Sequence, residues 1–114
     1  MKTIEYAHFL DKIINIDFNR VPLSDAFAVK LEYLLLCSNL SLLNFSIAVN
    51  LNYSYLNDLL RGKKHITLNK IECICKALNI SVSELLDFTP LITMQEEKCF
   101  IKFPSIENIF INYY

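Results

Sequence analysis

Residues 40–63 constrain the fold of this chain most, because they predict two short helices joined by a tight turn. Ser41 is suited to cap the first helix and Asn52 the second, since both side chains can accept a hydrogen bond from the first helical turn. The second helix is expected to end just before Gly62, the one glycine in the sequence. Glycine adopts the left-handed conformation that commonly follows a helix without steric cost.

Apolar side chains recur along both predicted helices at the spacing that buries one helical face. They are Phe45, Val49, Leu51, Leu56 and Leu59. The polar side chains between them, including Tyr53, Ser54, Asn57 and Asp58, are expected to point outward. A helix held in this way can present its first turns to a groove in DNA.

Helical patterns also flank this unit on both sides. The flanking helices are predicted over residues 3–16, 25–38 and 68–78, with a short last helix through Leu85 and Leu86. Ser24 and Thr67 are the expected caps of the helices that follow them, and Ser81 with Glu84 matches a capping box. Pro90 is expected to close the helical block.

The last part of the chain has a different composition. Two runs rich in β-branched and aromatic residues, 99–103 and 109–114, favour strands, and Pro104 with Ser105 can turn the chain between them. A two-stranded hairpin is marginally stable alone, so it would pack on the helical body or pair with another copy. We therefore expect a helical extension over 1–22, a domain over 23–90 and a strand-forming tail over 91–114.

Charge is distributed unevenly along a chain whose net charge is −1. Between residues 40 and 80 five basic side chains stand against two acidic ones, so a local positive surplus coincides with the helix pair. Apolar residues make up 54% and charged residues 20%, against roughly 45–50% and 25% in typical soluble chains. Part of the apolar surface is therefore expected to meet another chain.

No apolar run approaches the roughly 18 residues of a membrane span, and the first residues lack the apolar core of a signal peptide, so a cytoplasmic location is expected.

Sites for metals or enzymatic chemistry are not expected. The four cysteines form no CxxC pair, and Cys73 and Cys75 project to different sides of a helix, which favours reduced, mostly buried thiols. His8 and His65 have no spacing with Cys, Ser or carboxylates that indicates a nucleophile pair. With a single glycine, no phosphate-cradling loop is possible. No cofactor is expected either.

The segment 24–87 resembles the Cro/CI-type, or XRE-type, helix-turn-helix regulators. The resemblance is carried by five helices in this order, by Arg61 and Lys63 around Gly62, and by the run KALNIS at 76–81. The family commonly has glycine at three helix ends where this chain has asparagine, at Asn39, Asn50 and Asn79. Asparagine is the next best residue for a left-handed position. The implied fold is all-α: a five-helix lambda-repressor-like helix-turn-helix domain with an extra N-terminal helix and a short C-terminal tail. The strand pattern in the tail predicts a β-hairpin there.

The resemblance also implies which side chains meet double-stranded DNA. Those implied to face the groove are Asn52, Tyr53, Ser54, Tyr55, Asn57 and Asp58, and those implied to contact phosphates are Ser41, Arg61, Lys63 and Lys64. Asparagine and serine can hydrogen-bond base edges, tyrosine can touch a thymine methyl, and a carboxylate can accept from a cytosine amino group. The alternative is that the two tyrosines only cover the helix surface and Asn52 is only a cap.

Leu42, Leu43 and Ile47 occupy positions where the family usually has polar residues. We expect them either to fill space under the tail or to form a partner surface, because exposed apolar clusters mark contacts. The resemblance implies a sequence-specific transcriptional regulator of prokaryotic or phage type, a repressor acting as a homodimer on a near-palindromic site. The alternative is a helix-turn-helix scaffold used as a protein-interaction module, such as an antitoxin or a protein inhibitor.

Overall fold

The computed structural model describes residues 3–97, and every regular element in this range is an α-helix. The helices are α1 (Thr3–Asn15), α2 (Leu23–Ser38), α3 (Leu42–Ala48), α4 (Tyr53–Leu60), α5 (Leu68–Leu78), α6 (Val82–Leu85) and α7 (Thr89–Glu97). Helices α2 to α6 are the five predicted helices of the domain, and α1 is the predicted N-terminal helix. The all-α prediction is therefore confirmed, while the strands predicted at 99–103 and 109–114 lie outside the described residues.

Side-chain caps fix where most of these helices begin. Ser41, Asn52 and Thr67 each accept a hydrogen bond from a backbone N–H of the helix that follows, as predicted. Ser81 and Glu84 form the predicted capping box at α6, with each side chain accepting from the other residue's backbone N–H. Each cap satisfies backbone donors that have no partner inside the helix, so the starts of these helices are determined locally.

Left-handed residues follow four of the helices, α2, α3, α4 and α5. Asn39, Asn50 and Asn79 have φ angles of 60°, 56° and 56°, and Gly62 has a φ of 70°. The prediction that Asn39, Asn50 and Asn79 adopt the left-handed conformation is therefore confirmed. Asparagine tolerates this conformation better than most residues that carry a Cβ atom.

Two predicted boundaries are wrong, and proline explains both. Helix α2 begins at Leu23 without a side-chain cap, so Ser24 does not cap it; Pro22 precedes it in an extended conformation. Pro90 does not close the helical block, because it lies in the first turn of α7. The N–H that proline lacks would have no intrahelical partner there, and the fixed φ of proline suits a helix start.

The helix α7 packs beside α1, so the beginning and end of the described chain meet. The side chain of Gln95 donates from Nε2 to the backbone carbonyls of Ile13 at 2.8 Å and Ile16 at 2.6 Å. These carbonyls belong to the last turn of α1 and the residue just after it, where no intrahelical donor is available. Leu91 and Met94 of α7 are buried in the core beside this contact. Helix α1 also packs on α2, with the ring centres of Phe9 and Tyr33 6.3 Å apart.

Lys30 is a buried cation in the middle of α2, 4% exposed. Its Nζ donates to the backbone carbonyl of Glu84 at 3.2 Å and to that of Asp87. Burial lowers the pKa of Lys30, and the nearby Asp87 carboxylate opposes this effect. The ammonium group thus joins α2 to the end of the short helix α6.

Among the described helices none is by itself long and apolar enough to cross a membrane. Taken together, α2 and α3 meet the length and composition requirement, but their axes are bent by 100° at the break between them.

Candidate nucleic-acid interface

The connection between α3 and α4 is held by backbone hydrogen bonds. Asn50, in the left-handed conformation, donates its N–H to the carbonyl of Ile47 at 3.2 Å, and Leu51 donates to Ser46 at 2.9 Å. Leu51 is buried, so the turn is also anchored in the core. These contacts set the direction in which α4 leaves the turn.

One side of α4 is buried and the other faces outward, as predicted for Tyr53 and Ser54, whereas Asn57 and Asp58 are half-buried. Leu56 and Leu59 are in the core, whereas Tyr53 is 47% exposed and Ser54 is exposed. Asn57 is half-buried on the flank of the helix. The outward face therefore offers a phenol, a hydroxyl and an amide, which can all form hydrogen bonds with base edges or the DNA backbone.

Asn52 caps α4, which is one of the two roles that the sequence left open. Its Oδ1 accepts hydrogen bonds from the backbone N–H groups of Ser54 at 2.9 Å and Tyr55 at 3.2 Å. A side-chain amide has two further donors on Nδ2. Because Asn52 is exposed, capping α4 leaves those donors accessible to a ligand.

Tyr55 differs from the other predicted groove residues. It is half-buried, and its hydroxyl oxygen is buried without a hydrogen-bond partner among the described residues. The ammonium groups of Lys64 and Lys70 lie 5.7 Å and 5.8 Å from the centre of its ring. The accessible part of Tyr55 is therefore its ring, flanked by two cations, and not its hydroxyl.

The carboxylate of Asp58, a residue of α4, lies close to the basic loop that follows this helix. Oδ2 of Asp58 is 3.9 Å from Nζ of Lys64, and the side chains are 32% and 53% exposed. The backbone carbonyl of Asp58 accepts from the N–H of Lys63 at 3.0 Å. Asp58 is consequently held on the side of α4 that faces this loop.

The predicted phosphate contacts lie on the surface around α4. Arg61, Lys63 and Lys64 are exposed and follow the end of α4 directly. Ser41 is exposed at the start of α3, where its Oγ accepts from the N–H of Asn44 at 3.1 Å. The three cations share one loop, whereas Ser41 belongs to the other helix of the pair.

The apolar positions on α3 are largely accessible. Leu43 and Ile47, one helical turn apart, are 56% and 59% exposed, and Leu42 is half-buried. Their predicted role as filler under the tail concerns residues outside the described range. Their role as a partner surface remains a prediction, and the side chains of Leu43 and Ile47 are accessible to a partner.

A family model for the Cro/C1-type helix-turn-helix DNA-binding domain matches residues 30–90, which include all of α3, α4 and the basic loop. The chain belongs to this family. It is similar to the control protein C.BamHI of Bacillus amyloliquefaciens, with 34% identity over 61 residues, or 54% of this chain and 75% of that protein. No solved structure gives a significant match.

Membership of the Cro/C1-type family assigns α3 and α4 as the helix-turn-helix unit. The chain is accordingly a DNA-binding transcriptional regulator of the XRE type. In such units the second helix enters the major groove with its N-terminal residues toward the bases. Here that helix is α4, and its N-terminal residues include Tyr53 and Ser54.

Sequence reasoning missed the position of Lys70 beside Tyr55. Lys70 is in the first turn of α5, fifteen positions after Tyr55, and only its place in the basic zone pointed to it. No group of three or more His, Cys, Asp or Glu side chains in the described range is arranged to hold a metal ion. Cys37, Cys73 and Cys75 are free thiols.

Proposed function

We propose that this regulator binds a specific, near-palindromic DNA site as a homodimer in the cytoplasm. Each copy would place α4 in the major groove, with the two helices about 34 Å apart along the duplex. The observation that carries the proposal is the exposed polar face of α4, which is followed directly by the exposed cations Arg61 and Lys63. Repression follows when the site overlaps a promoter.

The proposal divides the interface into base contacts and phosphate contacts. Asn52, Ser54 and Asn57 supply amide and hydroxyl groups for base edges, and Tyr53 supplies an aromatic surface for a sugar or a thymine methyl. Asp58 accepts from a cytosine amino group or, where no such donor is present, repels the backbone. Arg61, Lys63 and Lys64 contact phosphates with Ser41. Because α4 contains no basic residue, charge neutralisation comes from the flanking loop.

Selection of bound duplexes from a random-sequence pool tests this proposal. We expect an enriched motif with two half-sites separated by about one helical turn. Ser54→Ala and Asn57→Ala should change the preferred bases, because each removes a hydrogen-bonding group from the base-reading set. If no motif is enriched, sequence-specific binding is wrong.

Phosphate contacts predict a different response from base contacts. Arg61→Ala with Lys63→Ala should weaken binding to all duplexes alike and reduce the slope of log K against log salt by about 1.8. Lys76→Gln is the matched control, because Lys76 is at the far end of α5 and pairs with Glu72 at 2.9 Å. Unchanged binding by the double variant would contradict the assignment.

Homodimerisation is tested separately by light scattering at micromolar concentration, with and without the selected duplex. We expect two copies per duplex, because one helix-turn-helix unit reads only one half-site. A single copy bound to one half-site would contradict the dimer.

The exposed apolar face of α3 favours a second candidate function, a protein-interaction module. Leu43 and Ile47 would meet another protein there, and Leu42 would extend the surface. A purified partner that binds the wild type but not Leu43→Glu, with no duplex retained by either, would favour this function. Salt-dependent duplex binding that Leu43→Glu leaves intact favours DNA binding.

A further inference from the structure

We propose that Lys70 is an additional DNA-phosphate contact that acts with Lys64, and that the ring of Tyr55 positions both ammonium groups. The inference rests on the DNA-binding function proposed above. Lys64 comes from the loop after α4, Lys70 from the first turn of α5, and Tyr55 from the first turn of α4. Three segments of the chain thus converge on one place beside the groove-facing helix.

The local charge favours an anion at this place. Nζ of Lys64 and Nζ of Lys70 are 5.7 Å and 5.8 Å from the centre of the Tyr55 ring. Asp58 is 3.9 Å from Lys64, whereas Lys70 makes no ion pair with any carboxylate in the described part of the chain. Two ammonium groups beside one ring repel each other, and one carboxylate balances only one of them. A phosphate of the DNA backbone supplies the missing negative charge.

Tyr55 contributes through its ring. Its hydroxyl is buried without a partner among the described residues, so it cannot reach a phosphate. The face of an aromatic ring attracts ammonium groups, and this restricts where the two lysine side chains lie before DNA binds. A flexible lysine loses conformational entropy when it is fixed on a phosphate, and prior restriction reduces that loss. Tyr55 is therefore a positioning residue.

The first experiment measures binding to a 20-base-pair duplex of mixed sequence over a range of salt concentrations. Phosphate contacts act on any sequence, so no operator is needed. Lys70→Gln and Lys64→Gln should each reduce the slope of log K against log salt by about 0.9, and the two together by about twice that. Lys76→Gln, on the same helix α5 as Lys70, should leave the slope unchanged.

The second experiment tests the role of the ring. Tyr55→Phe should bind the duplex as the wild type does, because it keeps the ring. Tyr55→Leu should weaken binding about two- to fivefold, the effect expected from losing cation–π contacts at an exposed site. In the Tyr55→Leu background, Lys70→Gln should cost less affinity than in the wild type. Additive effects of Tyr55→Leu and Lys70→Gln would show that Tyr55 does not act through Lys70.

A measurement on the unbound protein keeps the test valid if Tyr55→Leu fails to fold. Nuclear magnetic resonance of the wild type should show upfield ring-current shifts of the Hε protons of Lys64 and Lys70, and normal shifts for Lys76. Normal shifts for Lys64 and Lys70 would overturn the positioning role.

If Lys70→Gln leaves the salt slope unchanged while Arg61→Ala reduces it, the inference fails and the proposed function stands. If Arg61→Ala also has no effect and no motif is selected, the proposed function fails.

Discussion

Gly62 meets two constraints at once, one in its backbone and one in its surroundings. Its φ is 70°, and a Cβ atom placed on it would be 2.6 Å from Oδ1 of Asp25. The three asparagines with positive φ show that this chain places residues with a Cβ atom in left-handed backbone elsewhere. At Gly62 the close approach of Asp25, from α2, adds a second reason for glycine.

We expect Gly62→Ala to lower the free energy of unfolding by about 1–2 kcal/mol, mainly through left-handed strain. Urea denaturation measures the change. Gly62→Asn should cost less, because asparagine accepts this conformation more readily. Adding Asp25→Ala to Gly62→Ala removes the clash but not the strain, so only a partial recovery is expected. Full recovery would show that the clash dominates.

Tyr55 provides a second test at a single residue. The hydroxyl of Tyr55 is buried without a partner among residues 3–97, so removing it costs no hydrogen bond there and relieves the desolvation of a polar group. Tyr55→Phe should therefore be at least as stable as the wild type, with a gain of up to about 1 kcal/mol in thermal or urea unfolding. A loss of more than 1 kcal/mol would mean that the hydroxyl forms a stabilising contact.

At the scale of elements, Lys30 joins α2 to the end of α6. Lys30→Met removes charged hydrogen bonds to the carbonyls of Glu84 and Asp87, and we expect a loss of about 2–3 kcal/mol. Lys12→Met is the matched control. Its ion pair with Glu32, at 2.6 Å, is partly exposed and worth about 0–1 kcal/mol. Equal effects of the two substitutions in urea unfolding would contradict this account.

The helices differ in how far sequence alone could predict them. Helices α3 and α4 were predictable because Ser41, Asn52 and Gly62 act on the backbone beside them. Helix α7 was missed because a proline both ends helices and begins them, and only packing against α1 decides between the two. The burial of Lys30 was missed for a similar reason. The carbonyls that accept from it are 54 and 57 residues away.

In the candidate site, too, some features could be predicted from local sequence and others depend on how the helices pack. The outward face of α4 follows from helical periodicity, and the basic loop follows from composition. The convergence of Tyr55, Lys64 and Lys70 depends on how α5 packs beside α4, and no local pattern encodes that. The buried hydroxyl of Tyr55 could not be predicted either, because tyrosine at a helix surface usually keeps its hydroxyl in water.

At the scale of the whole molecule, buried titratable groups predict how stability depends on pH. Burial raises the pKa of the Cys37 thiol from 9.0 to about 12. Between these values the unfolded chain loses the Cys37 proton while the folded protein keeps it, so the folded state loses relative stability as pH rises. Burial raises the pKa of Tyr33, which acts in the same direction, and lowers that of Lys30, which acts in the opposite direction.

A comparison with Cys37→Ala isolates the cysteine from the other groups. We expect the stability of the wild type relative to Cys37→Ala to be constant below pH 9 and to fall between pH 9.0 and about 12. Urea unfolding under reducing conditions at a series of pH values measures the difference. A difference that stays constant across this range would show that the thiol titrates normally in the folded protein.

The contact between Gln95 and the end of α1 has a consequence for synthesis on the ribosome. Gln95 lies 82 and 79 residues after the two carbonyls to which it donates. At 5–20 residues per second, the ribosome adds Gln95 about 4–16 s after it has made α1. Helices α3 and α4 are complete well before then. Translation thus completes α4 before it adds Gln95. The contact between Gln95 and the end of α1 is therefore among the last to form.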